Sequence, residues 1–202
     1  MHTLDEVAIC NMALAHILSQ DSVSSLDPPD ETPAGKQCSL FYPVCRDLAL
    51  TDYPWGFATK HIQLALVDTD VVTNWGFCYA YPSDCLDAQY LVVAGTRKPT
   101  LEDSLPYVIE NYNGQIVILC DVEDAELVYT AQITNTLLYP PRFSMALSYL
   151  IASMIAGPLA KPELVVPMQE LYGAVSMQAA GQNMNEQQIG PPAACSLERA
   201  RE

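Results

Sequence analysis

One stretch constrains the fold more than any other: Tyr129 to Ala152, where a strand hands the chain to a core helix. Tyr129, Ile133 and the Thr and Ala between them favour extended structure. Pro140-Pro141 then breaks the strand. Proline suits the first turn of a helix, where its missing N–H would lack a partner anyway. From Phe143 onward, Ala146, Leu147, Leu150, Ile151 and Met154 recur at three- and four-residue spacing, which predicts a helix with one buried stripe. The stretch marks a junction between a β part and a helical part.

Helical patterns also open the chain. Residues 3 to 18 read as a helix, with Thr3 and Glu6 at capping-box spacing and Leu4, Val7, Cys10, Leu14, Ile17 and Leu18 as its stripe. Asn11 lies on or beside that stripe; a buried Asn must hydrogen-bond, so it is expected to fix a nearby loop. Residues 21 to 32, rich in Asp, Ser and Pro, read as a loop. A second helix is expected from Thr32-Pro33, with Thr as cap and a seam of Ala34, Cys38, Phe41, Cys45 and Leu48. It should end before Tyr53-Pro54-Trp55-Gly56-Phe57, a compact aromatic turn. Trp55 and Phe57 are candidate partner-binding residues, because aromatics anchor interfaces. The preferred reading makes the turn a plug that closes the end of the helical bundle.

The middle reads as β structure. His61 to Val67 partly alternates and predicts a strand, and Phe77 to Tyr81 predicts another, ended by Pro82-Ser83-Asp84. Cys85 to Val93 continues extended, and residues 95 to 106, with Gly95, Pro99 and Pro106, read as a loop. Tyr107–Glu110 and Ile116–Cys120 flank Asn111-Tyr112-Asn113-Gly114, and Asn-Gly before a β-rich run signals a hairpin. Leu127 to Ile133 completes a small antiparallel β domain. After the core helix, Gly157-Pro158 should stop it. Pro162 can open a fourth helix carrying Leu164, Met168, Leu171 and Val175. From Gly181 the chain turns polar and reaches Pro191-Pro192, so 181 to 202 reads as a tail that orders, if at all, on a partner.

Composition narrows the function classes. The net charge is -15, from 24 acids against 9 bases. That argues against wrapping nucleic acid, which needs clustered Lys and Arg to displace counterions. It still allows a passage along which DNA slides without sticking. Half the residues are hydrophobic, enough to bury a core. The seven Cys, at 10, 38, 45, 78, 85, 120 and 195, form no CxxC pair and fit no zinc spacing. They read as small hydrophobic core residues in a reducing compartment. The acidic N-terminus lacks the basic start of a secretory signal, so synthesis in the cytoplasm is expected. The uncharged run between Arg142 and Lys161 is broken by Ser, Gly and Pro and suits a buried helix better than a membrane span.

Motifs for chemistry are sparse. The chain has no Gly-rich phosphate loop, no GxSxG and no HExxH. His2, His16 and His61 are scattered, and His16 reads as a satisfied helix residue. Asp121-Val122-Glu123-Asp124-Ala125-Glu126 lacks the ligand spacing of a calcium loop and reads as a solvated turn. No catalytic residue, cofactor or metal ligand is assigned. An Asp/Glu pair for glycoside hydrolysis stays open, since the fold sets the separation of such a pair.

Four segments, in order, resemble the tail tubular protein A family, the head-to-tail adaptors of short-tailed double-stranded DNA bacteriophages. They are Ile9-Cys10-Asn11-Met12-Ala13-Leu14, then Cys38 to Leu48 with Tyr53-Pro54-Trp55-Gly56-Phe57-Ala58, then Tyr81-Pro82-Ser83-Asp84-Cys85-Leu86, and finally Tyr129 to Ala152. Two positions depart from the family pattern: Pro141-Arg142-Phe143 stands where an acidic residue often precedes the core helix, and Asp87 rather than Arg follows Leu86. Residues 87 to 115 match weakly and 181 to 202 do not align.

The resemblance implies a non-enzymatic virion protein of the neck and tail, assembled in the host cytoplasm. It implies a homo-oligomeric ring, usually of twelve copies, between the portal protein and the tail nozzle protein. Such a ring extends the DNA channel, along which DNA passes without sequence-specific binding, and offers a platform to the nozzle and to tail fibres. The fold class expected is α+β: an antiparallel helical bundle of about four helices with an inserted small antiparallel β domain and an extended C-terminal tail. The boundaries expected are 1–59 and 134–181 for the helical halves, 60–133 for the β domain and 182–202 for the tail. Within the tail, Met184, Ile189, Leu197, Arg199 and Arg201 are the expected partner-binding anchors. Two other readings are a virion-associated cell-wall hydrolase using an Asp/Glu pair and a monomeric cytoplasmic binding module.

Overall fold

A computed structural model describes residues 4–68, 74–97 and 99–186. The fold is mixed α+β, with four helices and two antiparallel sheets among those residues. The helices are α1 (Glu6–His16), α2 (Pro33–Thr51), α3 (Pro141–Ala156) and α4 (Val165–Glu186). Between α2 and α3 run β1 (Thr59–Gln63), β2 (Leu66–Asp68), β3 (Phe77–Ala80), β4 (Cys85–Val93), β5 (Tyr107–Tyr112), β6 (Gln115–Cys120) and β7 (Ala125–Ala131). One sheet has the order β1-β7-β4, the other β2-β3-β6-β5.

Local chemistry sets the starts and stops of the helices. α1 begins at Asp5, whose side chain accepts from the Ala8 N–H at 2.7 Å. The expected capping residue Thr3 lies outside the described residues. α1 ends in a Schellman turn: the Leu18 N–H donates to Ala15 O and the Ser19 N–H to Leu14 O, both at 3.0 Å, with Leu18 at φ 56°. That left-handed turn throws Leu18 out of the expected stripe and into solvent. Asn11 holds the following loop from two sides. It donates to Val23 O at 2.9 Å and accepts from the Val23 N–H at 2.8 Å.

α2 starts where the sequence predicts, with Thr32 Oγ1 accepting from the Gly35 N–H at 3.0 Å. Gly35 is required there, because a Cβ would meet Asp30 Cβ at 2.6 Å. The buried face is Ala34, Cys38, Tyr42, Cys45 and Ala49, not the predicted seam with Phe41 and Leu48. A 3.5-residue repeat holds its face only in a supercoil; a single helix drifts, and the buried stripe moved with it. Phe41 is half-buried and Leu48 exposed.

α3 departs further from its predicted single stripe. Phe143, Ser144, Ala146, Leu147, Ser148, Leu150, Ile151, Ala152, Ser153, Ile155 and Ala156 are all buried, around most of the helix. Two of the buried serines satisfy themselves within the helix: Ser148 Oγ donates to Met145 O and Ser153 Oγ to Leu150 O, each at 2.7 Å. α1, α2 and α4 all pack on α3. Gly157 is its C-cap, as expected. Pro162 opens a short 3-10 turn (Pro162–Leu164) that runs into α4. On α4, Met168 and Ala179 are buried, while the predicted Leu171 is exposed and Tyr172 takes its inward place.

The strands also regroup. The single strand predicted over 61–67 is two: β1 pairs with β7 and β2 with β3, in different sheets. The chain crosses between sheets at buried Leu64, whose N–H donates to Ala125 O at 2.9 Å. The Asn-Gly hairpin is present between β5 and β6. Asn113 at φ 52° and Gly114 at φ 84° form the two-residue turn, and Tyr112 pairs with Gln115.

β6 shows the period-2 logic: Ile118 and Cys120 join the main core, while Val117 and Leu119 form a small second cluster with Cys78. The main core is continuous from Ile9 and Cys38 in the helices to Leu91, Leu127 and Tyr129 in the sheets. Cys10, Cys38, Cys45, Cys78 and Cys120 are buried as free thiols and Cys85 is half-buried; Cys195 lies outside the described residues.

The Asn11–Val23 pair yields a direct prediction. Asn11→Ala leaves both Val23 backbone groups unpaired in a buried place, so it should destabilise the fold by about 2–3 kcal/mol. A urea unfolding curve with a lowered midpoint and unchanged slope checks this.

Candidate functional site

Of the predicted partner-binding residues, Trp55, Phe57 and Met184 are described, and they lie at one corner built by the end of α2, the start of α3 and the end of α4. Trp55 Nε1 donates to Ala49 O at 2.8 Å, which folds the aromatic turn back over the α2 C-terminus. Its ring meets Phe143 edge-on at 5.4 Å, and Phe57 meets Phe143 at 5.0 Å and Tyr139 at 6.0 Å. Such edge-to-face rings add about 0.5–1.5 kcal/mol per pair beyond area burial. Trp55 is only 3% exposed, so its ring fills this corner as an aromatic plug rather than facing solvent. Phe57 is half-buried against the same rings.

The end of α4 closes over this plug. Asn183 Oδ1 accepts from the Gly56 N–H at 2.9 Å, and its Nδ2 donates to Pro54 O at 3.4 Å. The residues read as the start of a tail are therefore helical through Glu186. Gln, Met and Glu are good helix formers, so polarity alone did not mark the boundary. Met184 sits on this last turn, 63% exposed. Ile189, Leu197, Arg199 and Arg201 lie outside the described residues. A shallow crevice beside the plug is lined by Trp55, Pro140, Arg142, Ala179, Gln182 and Asn183.

A polar seam runs from this corner along the helix–sheet boundary, and the sequence reading missed it. Arg46 is buried, and its Nε donates to Asp47 Oδ1 at 2.8 Å. Burial opposes its charge, but Asp47 more than compensates and holds the guanidinium protonated. Gln132 Nε2 donates to Asp47 Oδ2 at 2.8 Å, and the Gln132 N–H to Asp84 O at 2.7 Å. Asp84 in turn accepts from Lys60 Nζ at 2.7 Å and from Tyr129 OH at 3.0 Å. Burial first and then the Asp84 carboxylate push the Tyr129 phenol up to about 12. Tyr139 OH donates to Ile133 O at 2.6 Å, which fixes the bend after β7. One signal was available: Arg46-Asp47 is the only charged pair inside the otherwise uncharged run from Gln37 to Thr51.

Elsewhere titratable groups are engaged locally. Ser148 Oγ already gives its proton to Met145 O, so His16 Nε2 donates to it at 3.1 Å. The His16 ring stacks on Tyr149 at 4.2 Å, and burial lowers its pKa. It is the satisfied helix residue the sequence suggested. Asp121, Glu123 and Asp124 are exposed in a turn. Asp121 accepts from the Gly76 N–H at 2.9 Å. Among the described residues no group of three His, Cys, Asp or Glu side chains is placed to hold a metal ion. Nor is any helix there long and apolar enough to cross a membrane.

With that geometry in view, no protein-family model matches the chain, and no curated protein matches it either.

The seam's acid end gives a pH prediction. Lys60, ahead of Tyr129, holds the Asp84 carboxyl below its usual value. A depressed carboxyl stabilises the fold above its unfolded pKa, about 4, and that contribution is lost as pH falls through the lower folded value. Asp84→Asn should therefore be less stable than the native chain at neutral pH. The gap should narrow below about pH 4, as read by melting temperatures across that range.

Proposed function

We propose that this chain is a head-to-tail adaptor of a short-tailed double-stranded DNA bacteriophage, similar to the tail tubular protein A family. One observation carries the reading: the four segments that resemble the family, spread from Ile9 to Ala152, touch one another. Cys10 meets Cys38 across α1 and α2. Trp55 and Phe57 pack on Phe143. Tyr129 OH donates to Asp84, and Gln132 joins Asp47 to the Asp84 backbone. The resemblance thus follows the frame that holds helices to sheets rather than scattered surface positions. In the same reading, the helices form an antiparallel bundle into which the strands are inserted between α2 and α3.

Copies of the chain form a ring, usually of twelve, through side-to-side contacts that close by rotation. The ring sits between portal and tail nozzle and offers a platform to tail fibres. The excess of 24 acids over 9 bases suits a channel wall, because like charge keeps DNA from sticking. Met184, beside the aromatic plug, and Ile189, Leu197, Arg199 and Arg201 beyond it serve as anchors on the portal or on a neighbouring copy. Ordering of such a polar segment on binding lets a short length of chain cover a wide surface.

Mass photometry of portal rings with and without this chain tests the reading. The expected result is a portal complex heavier by many multiples of the 22.2 kDa chain. No added mass at micromolar protein would remove the adaptor reading.

A further inference from the structure

Two thiols meet where α1 packs on α2, away from the aromatic corner and the polar seam. Cys10 and Cys38 are both fully buried in the main core. The Cys10 thiol donates a hydrogen bond to the Cys38 sulfur. That bond, with burial behind it, raises the Cys10 thiol; it lowers the Cys38 thiol against burial. Small side chains flank the pair and allow close backbone approach. Ala13 lies about one turn after Cys10, and Ala34 and Gly35 about one turn before Cys38, and all three are buried. A disulfide needs such closeness, with Cα atoms about 4.4–6.8 Å apart.

The residue after each cysteine holds this spacing. Asn11 is bonded to both backbone groups of Val23, and Ser39 Oγ donates to Leu26 O at 2.8 Å. The loop between the helices is thus fastened beside both cysteines, at Val23 and at Leu26. Cys45 shares the core, but burial pushes its thiol up to about 12. It also stands about two turns along α2 from Cys38.

We propose that Cys10 and Cys38 are a peroxide-sensitive pair that closes to a disulfide between α1 and α2. The oxidant is of the hydroperoxide class, and hydrogen peroxide itself fits the burial. The Cys38 sulfur, favoured as thiolate by its hydrogen bond, attacks one peroxide oxygen. The O–O bond breaks, and hydroxide leaves with the Cys38 proton as water. Cys38 then carries a sulfenic acid. The Cys10 sulfur attacks that sulfur, the S–O bond breaks, and the hydroxyl leaves with the Cys10 proton as a second water. Two thiols and one hydrogen peroxide thus give one disulfide and two waters. Burial also selects the oxidant. Hydrogen peroxide is little larger than water, whereas glutathione disulfide must bring a peptide up to the attacked sulfur. The pair lies within one chain, so the proposal does not rest on the adaptor reading.

Peptide mapping of the full chain tests this. The folded protein is treated with N-ethylmaleimide to cap accessible thiols, then with hydrogen peroxide, and digested with chymotrypsin without reductant. Cleavage after Phe41 separates Cys38 from Cys45. The expected product joins the Cys10 and Cys38 peptides, is two hydrogen atoms lighter than the reduced pair, and falls apart in dithiothreitol. It should form at least about tenfold faster with hydrogen peroxide than with equimolar glutathione disulfide. Circular dichroism after treatment confirms that the chain is folded. A link that forms only in urea overturns the proposal, as does one that joins either cysteine to Cys45. So does conversion of Cys38 to sulfinic acid with Cys10 still a free thiol. An unmodified pair, under peroxide that oxidises the exposed Met177 and Met184 of the same chain, overturns it too. Equal rates with the two oxidants overturn selection by burial.

Discussion

Helix α3 has to be buried on nearly every side, and the rest of the molecule is arranged to meet that need. From Phe143 to Ala160 the chain carries no charge. A helix apolar all round has no face to give to water, so cover must come from several directions. α1, α2 and α4 supply it from the helical side. Ser148 and Ser153 return their hydroxyls to their own helix, so these two need no water inside. Phe143, in the first turn, is where this requirement meets the rest of the chain. It takes Trp55, Phe57 and Tyr139 against its ring.

That corner explains why helices and sheets share one core. β7 delivers the chain to α3 through a bend fixed by Tyr139 and Gln132. The seam of Arg46, Asp47, Gln132, Asp84, Lys60 and Tyr129 then ties α2 to β1, β4 and β7. Arg46 is buried and Asp47 half-buried, and removing Asp47 would leave the buried guanidinium charged and uncompensated. Because α3 occupies the centre, the outward faces of α2 and α4 are left in solvent. The exposed Leu40, Val44 and Leu48 on α2 and Met177 and Met184 on α4 are the result.

Sequence reading succeeded where a few neighbouring residues decide the outcome. Thr32-Pro33 began α2, Asn113-Gly114 turned the β5–β6 hairpin, Gly157 ended α3, and Asn11 fixed its loop. It fell short where distant residues choose between near-equal local options. Tyr42 and Ala49 won the inside of α2 over Phe41 and Leu48 because a straight 3.6-residue helix drifts away from a 3.5-residue seam. Residues 61 to 67 have one strand's composition, yet β7 and β3 compete for its two halves. Polar residues 181 to 186 stayed helical because Asn183 found Gly56 and Pro54, partners more than a hundred positions away in the chain. The Asp47–Gln132–Asp84 link was illegible for the same reason, since nothing local tells a glutamine which carboxylate it will meet.

A core shared around α3 predicts that helices and sheets open together. Native-state hydrogen exchange tests this most directly, comparing amides of Leu147 to Ile151 in α3 with those of Leu127 to Tyr129 in β7. A shared core gives both sets the same opening free energy, equal to that of global unfolding. Exchange of the β7 amides through a separate, lower-energy opening while α3 stays protected would contradict it.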